Sequence, residues 1–422
     1  MLNGNVVKYD LYNQSWFPGS LALVAKNAGL LFGLQAVQRL LGLVTTYFIV
    51  RALSQEAFGS YQFALNVIGM VSIFGLPGIN NAVMQSVARG YRGTYRVSIR
   101  PSLLGSLVGG VLVAGVGCWY FFAGDREIGG TFLLATMVFP LTYGLMQWQG
   151  LRTGLEDFSG VVKLNGAAAI ATSLLLMGAV VFVTEAIAVL VFIILAVQAL
   201  LNLAGTAKSL RAVAKDEPAE AGSIRYGLVT TAYMIFGHVA IYVDKLLIYA
   251  FMTPAALAIF VAAERIPEII KSLVKNVGSA LGPRFARHSH YTRRVDRAIW
   301  IFSLASGAAI VAFAFTLLPW LVVAIYGDGY SDAVPYAQVL MCSVAIANSV
   351  PLRSRWIRSQ QDSASFRDVN VVIAVCRIVA SSALIPFFGL KGAVISVVLA
   401  RIAGLVTIHV VMKKRYPLVD DE

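Results

Sequence analysis

The sequence predicts an all-α integral membrane protein of about 12 transmembrane helices in two six-helix lobes, with both termini cytoplasmic. Three observations predict it: a shortage of charge, repeated apolar runs of bilayer-spanning length, and a one-sided distribution of Lys and Arg between them. Of 422 residues, 58% are hydrophobic and 13% charged, and the mean hydropathy is +0.75. Soluble domains carry roughly 25% charged residues. A soluble fold of this size cannot hide so much apolar surface, whereas a bilayer removes the need to.

Crossing about 30 Å of hydrocarbon takes about 20 apolar residues. Runs of that kind fall at 29–50, 61–82, 102–123, 130–151, 164–184, 186–206, 226–250, 257–280, 299–326, 336–357, 369–388 and 392–412. The polar and aromatic start, MLNGNVVKYDLYNQSWFPGS, has no basic lead into an apolar core, so no removable signal peptide is predicted. Trp16 to Ala28 reads as a short interfacial segment.

The 34 Lys and Arg residues set the topology. Alternate connections and the termini carry 24 of them, including Arg89, Arg92, Arg96 and Arg100 after the second run and Arg353, Arg355 and Arg358 after the tenth. The opposite connections carry Arg51, Arg126 and Lys391. Cytoplasmic loops hold the excess of Lys and Arg, so the rich side is the cytoplasm. The net charge of +13 would otherwise suggest a nucleic-acid partner; its placement accounts for it without one.

The chain divides into a cytoplasmic or interfacial N-terminus (1–28), an N-terminal lobe (29–207), a cytoplasmic linker (208–225), a C-terminal lobe (226–412) and a cytoplasmic tail (413–422). The halves look related. Arg51 onward, RALSQEAFGSYQFA, overlays Ala250 onward, AFMTPAALAIFVAA, so that Ser54 meets Thr253 and Ala57 meets Ala256. DFSGVVKLN at Asp157 overlays DSASFRDVN at Asp362 in its Asp, Ser and Asn positions. An internal duplication explains both. Six spans per repeat is even, so the halves share one orientation across the membrane.

Seven basic residues fall inside spans: Arg39, Lys245, Arg265, Lys271, Lys275, Arg377 and Arg401. A charge at mid-bilayer costs about 2.5–3.5 kcal/mol on insertion scales, so each must face a cavity or a partner. Gln35 shares the helix face of Arg39. In the eighth run, Glu264, Glu268, Lys271 and Lys275 are spaced by four, three and four residues and share one face, with Arg265 beside it. Taken singly, each charge admits a plainer role as half of an internal ion pair, and Lys275 as a side chain snorkelling to the interface. Taken together, seven cations against three acids (Asp244, Glu264, Glu268) leave a positive surplus that an anionic ligand would match. The same three carboxylates are the coupling sites available to H+ or Na+. His238 reads first as a satisfied core residue. Pro267, inside the charged stretch, reads as a hinge.

No catalytic signature, Walker pattern, nucleophile elbow or metal motif is present, so neither an enzyme nor a cofactor is predicted. Cys118, Cys342 and Cys376 lie far apart in apolar runs and read as small core residues.

The segment RLLGLVTTYFIVRALSQEAFGSYQFALNVIGMVSIFGLPGINNAVMQSVAR, with Arg51, Leu53, Glu56, Phe58, Gly59 and Tyr61 in an R-x-L then E-x-F-G-x-Y pattern, resembles the polysaccharide-export members of the multidrug/oligosaccharidyl-lipid/polysaccharide superfamily, such as O-antigen flippases. YVDKLLIYAFMTPAALAIFVAAERI, YGDGYSDAVPYAQVL and IPFFGLKGAVISVVLARI extend the resemblance over nearly the whole chain. It implies two lobes around a central cavity that opens alternately to each side of the bacterial inner membrane. The implied substrate is a polyprenyl-pyrophosphate-linked oligosaccharide, with polysaccharide-assembly proteins as partners. The expected head-group ligands are Arg39, Arg265, Lys271, Arg377 and Arg401. The competing readings are an organic-cation antiporter of the same superfamily, whose cavity should be rich in carboxylates, and a membrane polymerase, which needs a substantial catalytic loop absent here.

Overall fold

The computed structural model describes residues 19–182, 186–286, 290–360 and 362–419, with the side chains of all of these except 19–32, 35, 36, 279–284, 286 and 363. Helix α1 (Gly19–Ala52) begins ten residues ahead of the predicted first span, absorbing residues 19–28 of the expected interfacial segment; its first three residues, with the rest of residues 1–18, lie outside the described residues. The second span is built in pieces: α2 (Gln55–Val71), a 3-10 turn (Ser72–Gly75) and α3 (Pro77–Ala88). Pro77 has no N–H and cannot continue the helix, and Leu76 before it takes the left-handed conformation, φ 57°. The span therefore breaks where the run 61–82 suggests continuity.

Next come α4 (Thr94–Phe122), α5 (Arg126–Gly144), α6 (Gln147–Gly154), α7 (Phe158–Phe182) and α8 (Ile187–Ala212). The second half holds α9 (Ser223–Phe251), α10 (Pro254–Ala286), α11 (Arg293–Thr316), α12 (Leu318–Tyr326), α13 (Ala333–Ile346), α14 (Ser349–Ser359) and α15 (Ser363–Arg415). Helix α15 is two spans joined at Gly389, whose φ of 56° and ψ of −132° are not helical. Among the described residues eight helices are long and apolar enough to span by composition alone, nine with the bent pair α13–α14. The division of α15, with the long helices α1 and α10, brings the count to the predicted twelve. Pro267 does not act as a break: α10 stays helical across all 33 of its residues.

The segments matched between the two halves start helices in the same way. The Ser54 hydroxyl accepts from the Ala57 N–H at 3.1 Å and starts α2; the Thr253 hydroxyl accepts from the Ala256 N–H at 3.2 Å and starts α10. Asp157 accepts from the Gly160 N–H at 2.9 Å and starts α7; Asp362 accepts from the Ser365 N–H at 2.9 Å and starts α15. Asn165 and Asn370 each donate to the carbonyl four residues back. These caps satisfy amide groups a helix start leaves unpaired.

Contacts of α1 with α7, α7 with α8, α5 with α4 and α8, and α3 with α4 and α6 join the first six spans. Contacts of α9 with α15, α15 with α13 and α14, α10 with α13 and α14, and α11 with α13 join the last six. The lobes meet along α2 and α3, against α9 and α10, and where α1 touches α12. Glycines allow that approach. A Cβ on Gly59 would stand 1.8 Å from the Pro254 carbonyl oxygen, and one on Gly78 would stand 2.3 Å from that of Gly227. The Gly78 N–H donates to the Thr231 hydroxyl at 3.0 Å across the same seam. His238 is satisfied there: its Nε2 lies 2.9 and 3.1 Å from the Gly69 and Met70 carbonyl oxygens of the opposite lobe, so it carries the hydrogen.

On the predicted cytoplasmic side, the linker is tied to the first lobe. Glu220 accepts from Arg89 at 2.6 and 3.0 Å and from Ser86 at 2.5 Å, and its N–H donates to the Thr94 hydroxyl at 2.9 Å. Chiefly through the Arg89 hydrogen bonds, its carboxyl is held below the usual range.

Candidate functional site

At 1.5 Å per residue, Arg39 lies about 20 Å from the outer end of α1, and Arg265 lies about 17 Å from the outer end of α10. Both are at mid-membrane depth. They line one cavity of about 230 Å³ with Gln38, Glu268 and Ile269, so one wall comes from each lobe. Arg265 reaches toward α1 as far as Gly42, where a Cβ would sit 3.4 Å from its Nη2. Neither arginine has an ion-pair or hydrogen-bond partner among the described residues. Two unpaired guanidinium groups lining one cavity suit an anion with several oxygens, because each offers a planar fork of donors.

The other three expected head-group ligands stand elsewhere. Arg377 of α15 bridges two carboxylates in the interior of the second lobe, donating to Asp244 of α9 and, at 3.0 Å, to Glu264 of α10. Lys245 completes that cluster, 2.6 Å from Glu264 and 3.7 Å from Asp244. Arg401 donates to Glu268 at 2.9 Å, to the Leu340 carbonyl at 2.7 Å and to the Ser343 hydroxyl at 2.6 Å. Lys271 donates to both oxygens of Glu268 at 3.0 Å. The five cations expected in one chamber are thus divided, two at the lobe interface and three within the second lobe. The physical reason is that burying a guanidinium without a counter-charge is costly, and the three carboxylates all lie on α9 and α10, within side-chain reach of α15, which packs on α9, α13 and α14.

The carboxylates expected to bind a coupling ion are engaged accordingly. Asp244 is fully buried, Glu264 nearly so, and both are held by protein cations. Glu268, about a third exposed, is the carboxylate that reaches the interface cavity. Lys275 has its own interaction, and the side chain of Gln35 lies outside the described residues.

Outward of the cavity the lobes are sealed by rings that the sequence did not single out together. Phe58 of α2 meets Tyr326 and Tyr330 edge-on at 6.5 and 6.3 Å between centroids, and Tyr326 and Tyr330 are 5.5 Å apart. Gln55 donates to the Gly329 carbonyl beside them. Aromatic residues are common throughout membrane helices, so no spacing marks these three in advance.

The family described as "Polysaccharide biosynthesis protein" matches residues 24–289. No curated protein sequence matches the chain. Among solved structures the chain is similar to the lipid II flippase MurJ in an inward closed conformation, with a TM-score of 0.68 and 10% identity over 90% of this chain and 87% of that one. It is also similar to an inward-facing multidrug-resistance MATE transporter, with a TM-score of 0.63 and 13% identity over 90% and 96%. A third likeness, with a TM-score of 0.60 and 12% identity over 94% and 96%, is to a Pyrococcus furiosus transporter of the same superfamily, described as having a binding pocket of reversed polarity. At such identities the likeness is one of fold. The family match spans well over half of the sequence, and the chain belongs to the polysaccharide biosynthesis family, with the fold of the transporters and flippases of the multidrug/oligosaccharidyl-lipid/polysaccharide exporter superfamily.

Proposed function

We propose that this chain carries the head group of a polyprenyl-pyrophosphate-linked oligosaccharide across the bacterial inner membrane for surface polysaccharide synthesis. The observation that supports it is the pairing of Arg39 and Arg265 across the lobes in one cavity at mid-membrane depth. A pyrophosphate presents several oxygens to two guanidinium forks, while the polyprenyl tail stays in lipid. In the state described here the rings of Phe58, Tyr326 and Tyr330 and the Gly59–Pro254 contact close the outer side. Rocking of the lobes about the α2–α9 seam would part these contacts and open the cavity outward.

An organic-cation antiporter is the second reading, favoured by the fold shared with multidrug transporters. A cavity suited to cations should present unpaired carboxylates; here the carboxylate at the cavity, Glu268, is already taken by Arg401 and Lys271. The test is export in cells carrying Arg39→Ala or Arg265→Ala at normal protein level. Loss of surface polysaccharide with lipid-linked intermediates accumulating inside supports the flippase reading. Unchanged polysaccharide in both, or drug extrusion by the wild type, removes it.

A further inference from the structure

Beside the interface cavity, the second lobe holds another of about 120 Å³, between α10, α13, α14 and α15. Its walls are apolar, with Val274, Val344, Ile373 and Val397 among them, and Lys271, Arg377 and Arg401 also line it. Among the described residues the ion pairs around it do not balance: Lys245, Lys271, Arg377 and Arg401 face Asp244, Glu264 and Glu268. One positive charge is left over, next to the cavity, because Lys271 and Arg401 share a single carboxylate. The Nε of Arg377 is buried and has no acceptor, which in a folded interior marks a donor awaiting a partner.

We infer that this cavity is a second anion site, which holds one phosphate group attached to a hydrocarbon chain. Charge and chemistry select that class. The missing charge is negative, and the free donor is a guanidinium N–H. A bare phosphate would set its remaining oxygens against valine and isoleucine methyls, stripped of water and unpaired. An alkyl phosphate puts methylenes there instead and keeps its oxygens at the cationic end. The site is separate from the Arg39–Arg265 cavity and does not depend on the function proposed for it; Glu268 lies between the two, lining one and pairing with two cations of the other.

The test uses the full chain in a neutral maltoside detergent, in an Arg39→Gln/Arg265→Gln background so that the interface cavity is out of play. Native mass spectrometry and thermal unfolding follow binding of propyl phosphate, which fits the cavity volume, with inorganic phosphate and propanol as the other arms. We expect one propyl phosphate per chain, bound at least tenfold more tightly than either comparison. Val397→Phe, which fills the cavity, and Lys271→Gln, at a half-exposed position that tolerates change, should each weaken it tenfold or more. Absence of binding in this background, binding unmoved by both variants, or equal binding of inorganic phosphate would overturn the inference. Failure of the export test with this binding intact would remove only the flippase reading.

Discussion

Arg401 donates to Glu268 from α15 to α10 at 2.9 Å, and that carboxylate also lines the cavity shared by the two lobes. An anion entering the cavity therefore meets Arg39 and Arg265 alongside a fixed negative charge already bound from behind. Glu268→Gln takes that charge away. We expect the cavity to hold anions more tightly, with a modest stability loss of about 1–2 kcal/mol because Glu268 is partly solvated and screened. Comparing alkyl-pyrophosphate binding and unfolding temperature of wild type and variant checks both.

Arg377 is the most expensive side chain to remove. It holds Asp244 and Glu264 at once, at 0% and 10% side-chain exposure. Arg377→Met strands two buried carboxylates beside one lysine, and removing one partner of a buried pair costs about 3–5 kcal/mol. The double variant Arg377→Met/Glu264→Gln should recover part of that loss in detergent unfolding, since the remaining charges, Asp244 and Lys245, again match. No recovery would mean that the two residues act independently.

The matched caps of the two halves should behave alike. Ser54→Ala, Thr253→Ala, Asp157→Ala and Asp362→Ala each remove one acceptor from a helix start, costing about 0.5–2 kcal/mol. Asp362 adds a pH signature. Burial alone would raise its carboxyl, but hydrogen bonds from Ser365 and Tyr416 and the nearby Arg415 outweigh this and hold it at about 2. A lowered pKa stabilises the fold above the unfolded value, near 4, and that contribution fades as pH falls toward 2. Unfolding of the wild type should steepen across this window, and that of Asp362→Asn should not.

Gly59→Ala tests the outer seal. Its new methyl would overlap the Pro254 carbonyl, so α2 and α10 must separate at their outer ends. A cysteine placed at Ala64, fully buried in α2, should react faster with a water-soluble maleimide in the Gly59→Ala background. Equal rates would show that the seam adjusts without opening.

The sequence made some of this legible and hid the rest for identifiable reasons. Apolar runs and Lys/Arg asymmetry recovered the spans because bilayer thickness and positive-inside placement act on each helix separately. Ser54 with Thr253, and Asp157 with Asp362, were visible because a cap is a local event, complete within four residues. The broken second span was harder: Pro77 was plain in the run, yet the left-handed Leu76 that lets α3 set off against α9 is fixed by tertiary packing. The site was half legible. The surplus of buried cations could be counted, and Arg39 and Arg265 do share a cavity. Which cation meets which carboxylate depends on how α15 packs on α9, α13 and α14, which brings its arginines to acids more than a hundred residues earlier, and helix periodicity carries no such information.

That same packing bears on how the chain is assembled. Asp244, Glu264 and Glu268 leave the ribosome on α9 and α10, while Arg377 and Arg401, which neutralise them, arrive on α15. Until α15 is made, α10 carries acids and bases that lipid tolerates poorly, so it must be sheltered at the insertion machinery or by the first lobe. Chains truncated before Ser363 should leave α10 out of the bilayer in glycosylation mapping, and full-length chains should not. Stable integration of α10 in the shorter chains would show that the partners made earlier are enough.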